Sequence, residues 1–162
     1  MKKYLGAICS AVAGIVTFIF LALNWLTAKV SSGYSSVSDK EGVSGWDLLK
    51  ESSEVEGYTL YKLSAIVMIV LASILIISAV VLILQNLNVL KFKFNFNLIN
   101  NIILTVFALF VILAVVGALI MAGDMSESAM GVSIKCSVAI GGWLMAIVGI
   151  ASCVTSWLTS RK

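Results

Sequence analysis

Four long apolar runs, at about residues 4–28, 63–84, 99–122 and 136–158, divide this sequence. Each is longer than the ~20 residues an α-helix needs to cross ~30 Å of hydrocarbon. Apolar residues follow one another without alternation, so the period-2 strands of a membrane barrel do not fit. Of the 162 residues, 60% are hydrophobic and 12% charged; a soluble domain is about 45–50% apolar and about a quarter charged. That excludes a water-soluble globule, and the low charge excludes a disordered chain or a nucleic-acid binder. The expected fold is an all-α membrane protein, one four-helix transmembrane bundle spanning residues 1–162. Outer loops fall at 29–62 and 123–135 and an inner loop at 85–98.

Charge placement orients this bundle. All eight acids (Asp39, Glu41, Asp47, Glu51, Glu54, Glu56, Asp124, Glu127) lie in 29–62 or 123–135. Lys2, Lys3, Lys91, Lys93, Arg161 and Lys162 lie in the other polar segments, which hold no acid. The positive-inside rule therefore places both termini and the 85–98 loop in the cytoplasm. Tyr4 and Trp157 then fall at the inner interface, and Trp25, Tyr58 and Tyr61 at the outer one, where amphipathic rings collect. The first run is too long for a secretory signal and no A-x-A-like site follows it, so it reads as an uncleaved helix.

Lipid is as apolar as leucine, so membrane helices associate through close contact of small residues. In the fourth run Ala139, Gly142, Ala146, Gly149, Cys153 and Ser156 recur at alternating spacings of three and four, a complete packing seam. Ala65, Ala72 and Ala79 form a stripe in the second run, Gly6, Ser10, Gly14 and Thr17 one in the first, and Ala114, Ala118 and Ala122 one in the third. These faces suit bundling within the chain; a partner helix on the fourth seam is the alternative. There is no proline, so unbroken helices are expected, with Gly141-Gly142 the one candidate for a local break.

The chemistry that is missing narrows function. None of the four runs holds an Asp, Glu or Arg within its hydrocarbon portion, and the chain has no histidine. Proton relays and ion-coupled transport use such intramembrane groups, and Ser-His or Cys-His catalysis needs the imidazole. Cys9, Cys136 and Cys153 form no C-x-x-C pair. No catalytic, cofactor-binding or metal-ligating constellation can be read, and no enzyme is expected. Asn24 reads as an interhelical or interfacial polar group.

The loops offer the remaining candidates. Residues 29–38 are serine-rich and loosely alternating, compatible with a strand, and Asp39-Lys-Glu-Gly42 reads as a turn. Ser44 is placed to cap a short helix, with Asp47 three residues on as the reciprocal acid. Trp46, Leu48 and Leu49 would anchor that loop on the outer end of the bundle. Glu51, Glu54 and Glu56 read as a solvated rim. In the inner loop Lys91, Phe92, Lys93, Phe94 and Phe96 alternate basic and aromatic, suited to an inner-leaflet interface.

The stretch Val43-Ser-Gly-Trp-Asp-Leu-Leu, following Trp25 at the end of the first run, resembles a recurrent pattern in small bacterial four-span proteins. Four spans, cytoplasmic ends, a long first outer loop and a short second one resemble the claudin/PMP22-like arrangement. Claudins add a cysteine pair in that loop, which this chain lacks. The Met-Lys-Lys start and the preponderance of lysine over the single arginine fit a bacterial cytoplasmic membrane. The loop residues add to the bundle a small extracytoplasmic cap, with short strands and one short helix expected in it. The expectation is a structural, scaffold or accessory subunit that meets a membrane-protein partner or another copy of itself. An oligomeric passive pore or small-solute transporter, and an immunity or stress factor, are the alternatives.

Overall fold

A computed structural model describes residues 4–32, 35–50, 54–90, 96–129 and 132–160. Its elements are α1 (Leu5–Leu21), β1 (Asn24–Ser32), β2 (Ser35–Ser44), α2 (Gly45–Lys50), α3 (Tyr58–Asn86), α4 (Phe96–Asp124), β3 (Glu127–Ala129), β4 (Val132–Val138) and α5 (Ile140–Ser160). The structure is mostly helical. α3, α4 and residues 140–159 of α5 are each long and apolar enough to cross a membrane; α1 is apolar but shorter, at 17 residues.

The four long helices form a ring in the order α1, α3, α4, α5. Their inward faces are built from small and medium side chains at helical spacing, such as Tyr61, Ala65, Met68, Ala72, Leu75 and Ala79 on α3. Their outward faces carry exposed large apolar residues, including Ile66, Val70, Ile77 and Val80 on α3 and Ile147, Ile150 and Val154 on α5. The start of α1 approaches the start of α4 and the end of α5: a Cβ on Gly6 would lie 3.8 Å from Ser156 Oγ and 3.9 Å from Asn97 Oδ1. That end is also where α3 gives way to α4, after Asn88 takes a positive φ of 58° to close the helix. Lys91, Phe92, Lys93 and Phe94 lie outside the described residues; Phe96 opens α4, half-buried.

Close approach decides two glycines. Gly57 has φ +81°, and a Cβ there would also sit 2.6 Å from Gly117 O. A Cβ on Gly117 would in turn meet Tyr61 N at 2.7 Å and Tyr61 Cα at 3.0 Å, backbone atoms that cannot swing aside. The α3–α4 crossing therefore depends on a bare Gly117. Gly117→Ala should destabilise the protein by about 1–3 kcal/mol, read as a lower thermal midpoint in detergent. Gly123→Ala on the same helix meets nothing within 4 Å and should stay within about 0.5 kcal/mol of the parent. Equal losses in the two variants would contradict the tight crossing.

At the other end lies a four-stranded antiparallel sheet in the order β2-β1-β4-β3. It takes β1 and β2 from the segment between α1 and α3, and β3 and β4 from the segment between α4 and α5. β1 is the pivot: Ala28 stands opposite Cys136 of β4 and opposite Glu41 of β2.

The sheet corrects four expectations. The first apolar run does not stay helical to residue 28, because Asn24–Ala28 belongs to β1; Trp25, Leu26 and Thr27 are good strand residues, and hydropathy alone does not separate an apolar strand from the end of a helix. The fourth run likewise begins as strand, with Cys136–Val138 in β4 and α5 starting at Ile140. Asp39–Gly42 is not a turn but part of β2, its polar residues paired along β1. Finally, Trp25, Tyr58 and Tyr61 are no rim of amphipathic rings: all three are buried, packed in the junction between sheet and bundle.

Candidate functional site

Trp25 holds the sheet to the bundle. It is fully buried, its indole N–H donates to Phe20 O at 2.9 Å, and its ring meets Tyr61 edge-on at 5.4 Å. Gly45 and Gly142 flank it, since a Cβ on either would come within 2.8 Å and 3.4 Å of the indole. Its own carbonyl accepts from Ala139 N at 2.7 Å, which fixes the entry to α5. Tyr61 donates its hydroxyl to Gly45 O at 3.2 Å, so α3 holds the start of α2.

The short helix α2 is set by its first turn. Ser44 Oγ accepts from Asp47 N at 3.2 Å and donates to Asp47 Oδ2 at 2.6 Å. That hydroxyl, with Lys50 beyond it, holds the Asp47 carboxyl below the usual carboxylate range. Leu48 is buried, Leu49 half-buried against the core, and Trp46 stacks on Phe18 of α1 at 6.5 Å. Of the acidic rim, Glu54 and Glu56 are exposed, and Glu56 N donates to Asp124 Oδ2 at 3.2 Å; Glu51 lies outside the described residues.

Beneath the sheet, between β1, β4 and the ends of α3 and α4, is a cavity of about 80 Å³. Leu26, Ala28, Tyr58, Met121, Met125 and Cys136 line it. The Tyr58 hydroxyl is buried with no hydrogen-bond partner among the described residues, and Lys62 Nζ lies 5.4 Å from its ring centroid. Burial pushes the Cys136 thiol above its ordinary pKa, so little thiolate forms near neutrality.

The seam of the fourth run is taken up inside the chain. Gly142 and Ala139 face the Trp25 junction. Gly149 lies against Val111 of α4, and Ser156 is buried. Ala146 and Cys153 are half-buried. Cys153 of the seam also lines an apolar groove of about 380 Å³ that runs along α4 and α5 past Leu109, Ile112, Ile150 and Val154.

The sequence reading passed over one constellation. Asn100 and Asn101, adjacent on α4, are 1% and 3% exposed. Asn100 Oδ1 accepts from Ser10 of α1 and Ser78 of α3, each at 2.8 Å. Asn101 Oδ1 accepts from Ser156 of α5 at 2.5 Å. One turn on, Thr105 donates to Asn101 O at 2.8 Å and accepts from Trp157 Nε1 at 2.9 Å. All four long helices thus meet in one buried polar layer. The sequence signal for it is an Asn pair just inside an apolar run, with a serine at matching depth in each other helix. Asn24, by contrast, is exposed at the start of β1.

The arrangement offers a four-stranded sheet at one end of the bundle and a buried polar layer shared by the four long helices. No known protein family matches this chain, and no curated protein does either.

Proposed function

We propose that the chain is a non-enzymatic, four-span integral protein of a bacterial cytoplasmic membrane, claudin-like in arrangement, with both termini cytoplasmic. It acts as a structural or accessory subunit that offers its sheet-and-α2 cap to a membrane-protein partner or to a second copy. The observation that carries this reading is the pairing of β1 with β4, which merges the two outer segments into one sheet locked on Trp25. A cap held that firmly suits recognition better than a loose loop would. The fourth span is α1, whose outward Ile8, Val12, Ile15 and Ile19 continue the apolar belt of the other three helices. At ~1.5 Å per residue α1 reaches about 25 Å, close to the hydrocarbon thickness.

Purification in several mild detergents, with amine crosslinking of intact membranes beforehand, tests the scaffold role. A stoichiometric partner or a crosslinked dimer is expected, and a lone monomer under every condition would contradict it. Orientation is tested with an impermeant thiol reagent on intact cells. Cys136 should label, faster as the pH rises toward its raised pKa. Labelling of Cys9 or Cys153 alone would reverse the topology.

A further inference from the structure

The register of the sheet places lysines side by side. Lys29 of β1 stands directly opposite Lys135 of β4 and directly opposite Lys40 of β2. Adjacent strands lie about 4.8 Å apart, so the three positions form a row about 10 Å long. Like charges directly opposite one another destabilise a sheet. Even so, among the described residues neither Lys29 nor Lys135 is ion-paired, the recorded pair being Lys50 with Asp47 on α2. Both are exposed. Glu41, the nearest described acid along β2, stands in the register of Ala28 and Cys136, which line the cavity on the opposite face.

Hydroxyls continue this face on either side of the row. Thr27 Oγ1 lies 3.1 Å from Ser137 Oγ, and Ser31 Oγ lies 2.7 Å from Ser133 Oγ. The Ser31–Ser133 pair has two protons and uses one between its own oxygens, leaving one to donate outward, whereas Thr27 Oγ1 also donates to Ser137 O at 3.5 Å. The face that points away from the bundle therefore presents the Lys29 and Lys135 ammonium groups with hydroxyls on either side.

We propose that this face binds a polyanion whose charges are phosphates in series, of the inorganic polyphosphate kind. Lysine acts on phosphate as a point charge, and hydroxyls complement tetrahedral oxygens; planar carboxylates are better matched by the arginine fork. The chain's single arginine, Arg161, is far from the sheet in sequence. A linear row, rather than a nest around one point, fits repeated charges and not a lone phosphate. The inference stands on the sheet register and does not depend on the scaffold reading; either can fail alone.

The test uses the full chain in nanodiscs of neutral phosphatidylcholine, with inorganic polyphosphate of about 15 units as the probe. Polyphosphate should bind, weakening steeply as salt rises, because neutralising each charge releases counterions. Lys29→Gln combined with Lys135→Gln should weaken binding at least tenfold and flatten the salt dependence. Lys50→Gln on α2 should leave it unchanged. The double variant should melt no lower than the parent, since it loses a like-charge contact, and that confirms its fold. Lys29→Arg with Lys135→Arg, which keeps the charge, should still bind. Undiminished binding by the double Gln variant, or no binding by the parent, would overturn the site. Poly-glutamate of equal charge binding as tightly as polyphosphate would overturn the phosphate assignment in favour of an acidic protein segment.

Discussion

Trp25→Ala should cost the protein about 3–5 kcal/mol, the range for removing a fully buried large aromatic. For a chain of this size each kcal/mol moves the thermal midpoint by about 2–4 °C, so a fall of roughly 6–20 °C is expected. The loss is large because one side chain serves four elements. Its ring touches Gly45 of α2, Gly142 of α5 and Tyr61 of α3, and its N–H satisfies Phe20 O at the end of α1. Removing it leaves a cavity and takes one donor from Phe20 O, which keeps its bond from Leu23 N at 3.1 Å. Trp143→Ala is the matched control, because Trp143 is 49% exposed on the outer face of α5. If both tryptophans cost the same, the junction is not where the sheet is held.

The second large effect is at Asn100. Asn100→Ala removes the acceptor shared by Ser10 and Ser78 and leaves space where an amide was. Interhelical hydrogen bonds in membranes average about 0.6 kcal/mol and reach ~1.7. Two of them plus the cavity term give about 2–4 kcal/mol. A double-mutant cycle with Ser78→Ala separates these parts: the coupling between the two positions should be about 0.5–1.5 kcal/mol. Additive losses, with no coupling, would mean that the hydroxyl and the amide do not share a bond.

These two residues also show what was legible in the sequence and what was not. The helices announced themselves, because a long apolar run bounded by charged segments has few other solutions. Ser44 with Asp47 was readable because the two partners lie within one turn. The sheet was not readable in the same way. β1 pairs with a strand more than a hundred residues away, and Asn24–Ala28 looks like the end of a helix until β4 arrives to take its hydrogen bonds. Trp25 looked like an interfacial ring because its burial depends on α2, α3 and α5 converging there. Asn100 and Asn101 were passed over because a search for charge does not register neutral amides. Their partners come from three other helices, so only the assembled bundle shows that they form one layer. The lysine row has the same character: Lys29, Lys40 and Lys135 are unremarkable in sequence and become neighbours only through the register.

The β1–β4 register joins the two segments that follow α1 and α4, sets the sheet on Trp25 and aligns the lysine positions. It places Ala28 directly opposite Cys136, a cross-strand pair whose Cα atoms are about 4.5–5.5 Å apart in an antiparallel ladder, within disulfide reach. The decisive measurement is oxidation of the Ala28→Cys variant, followed by mass spectrometry of the peptides. The introduced thiol should form a disulfide with Cys136, while Thr27→Cys and Lys29→Cys, whose side chains point to the other face, should not. A bridge from position 27 or 29 to Cys136 in place of position 28, or no bridge from any of the three, would contradict the joined sheet.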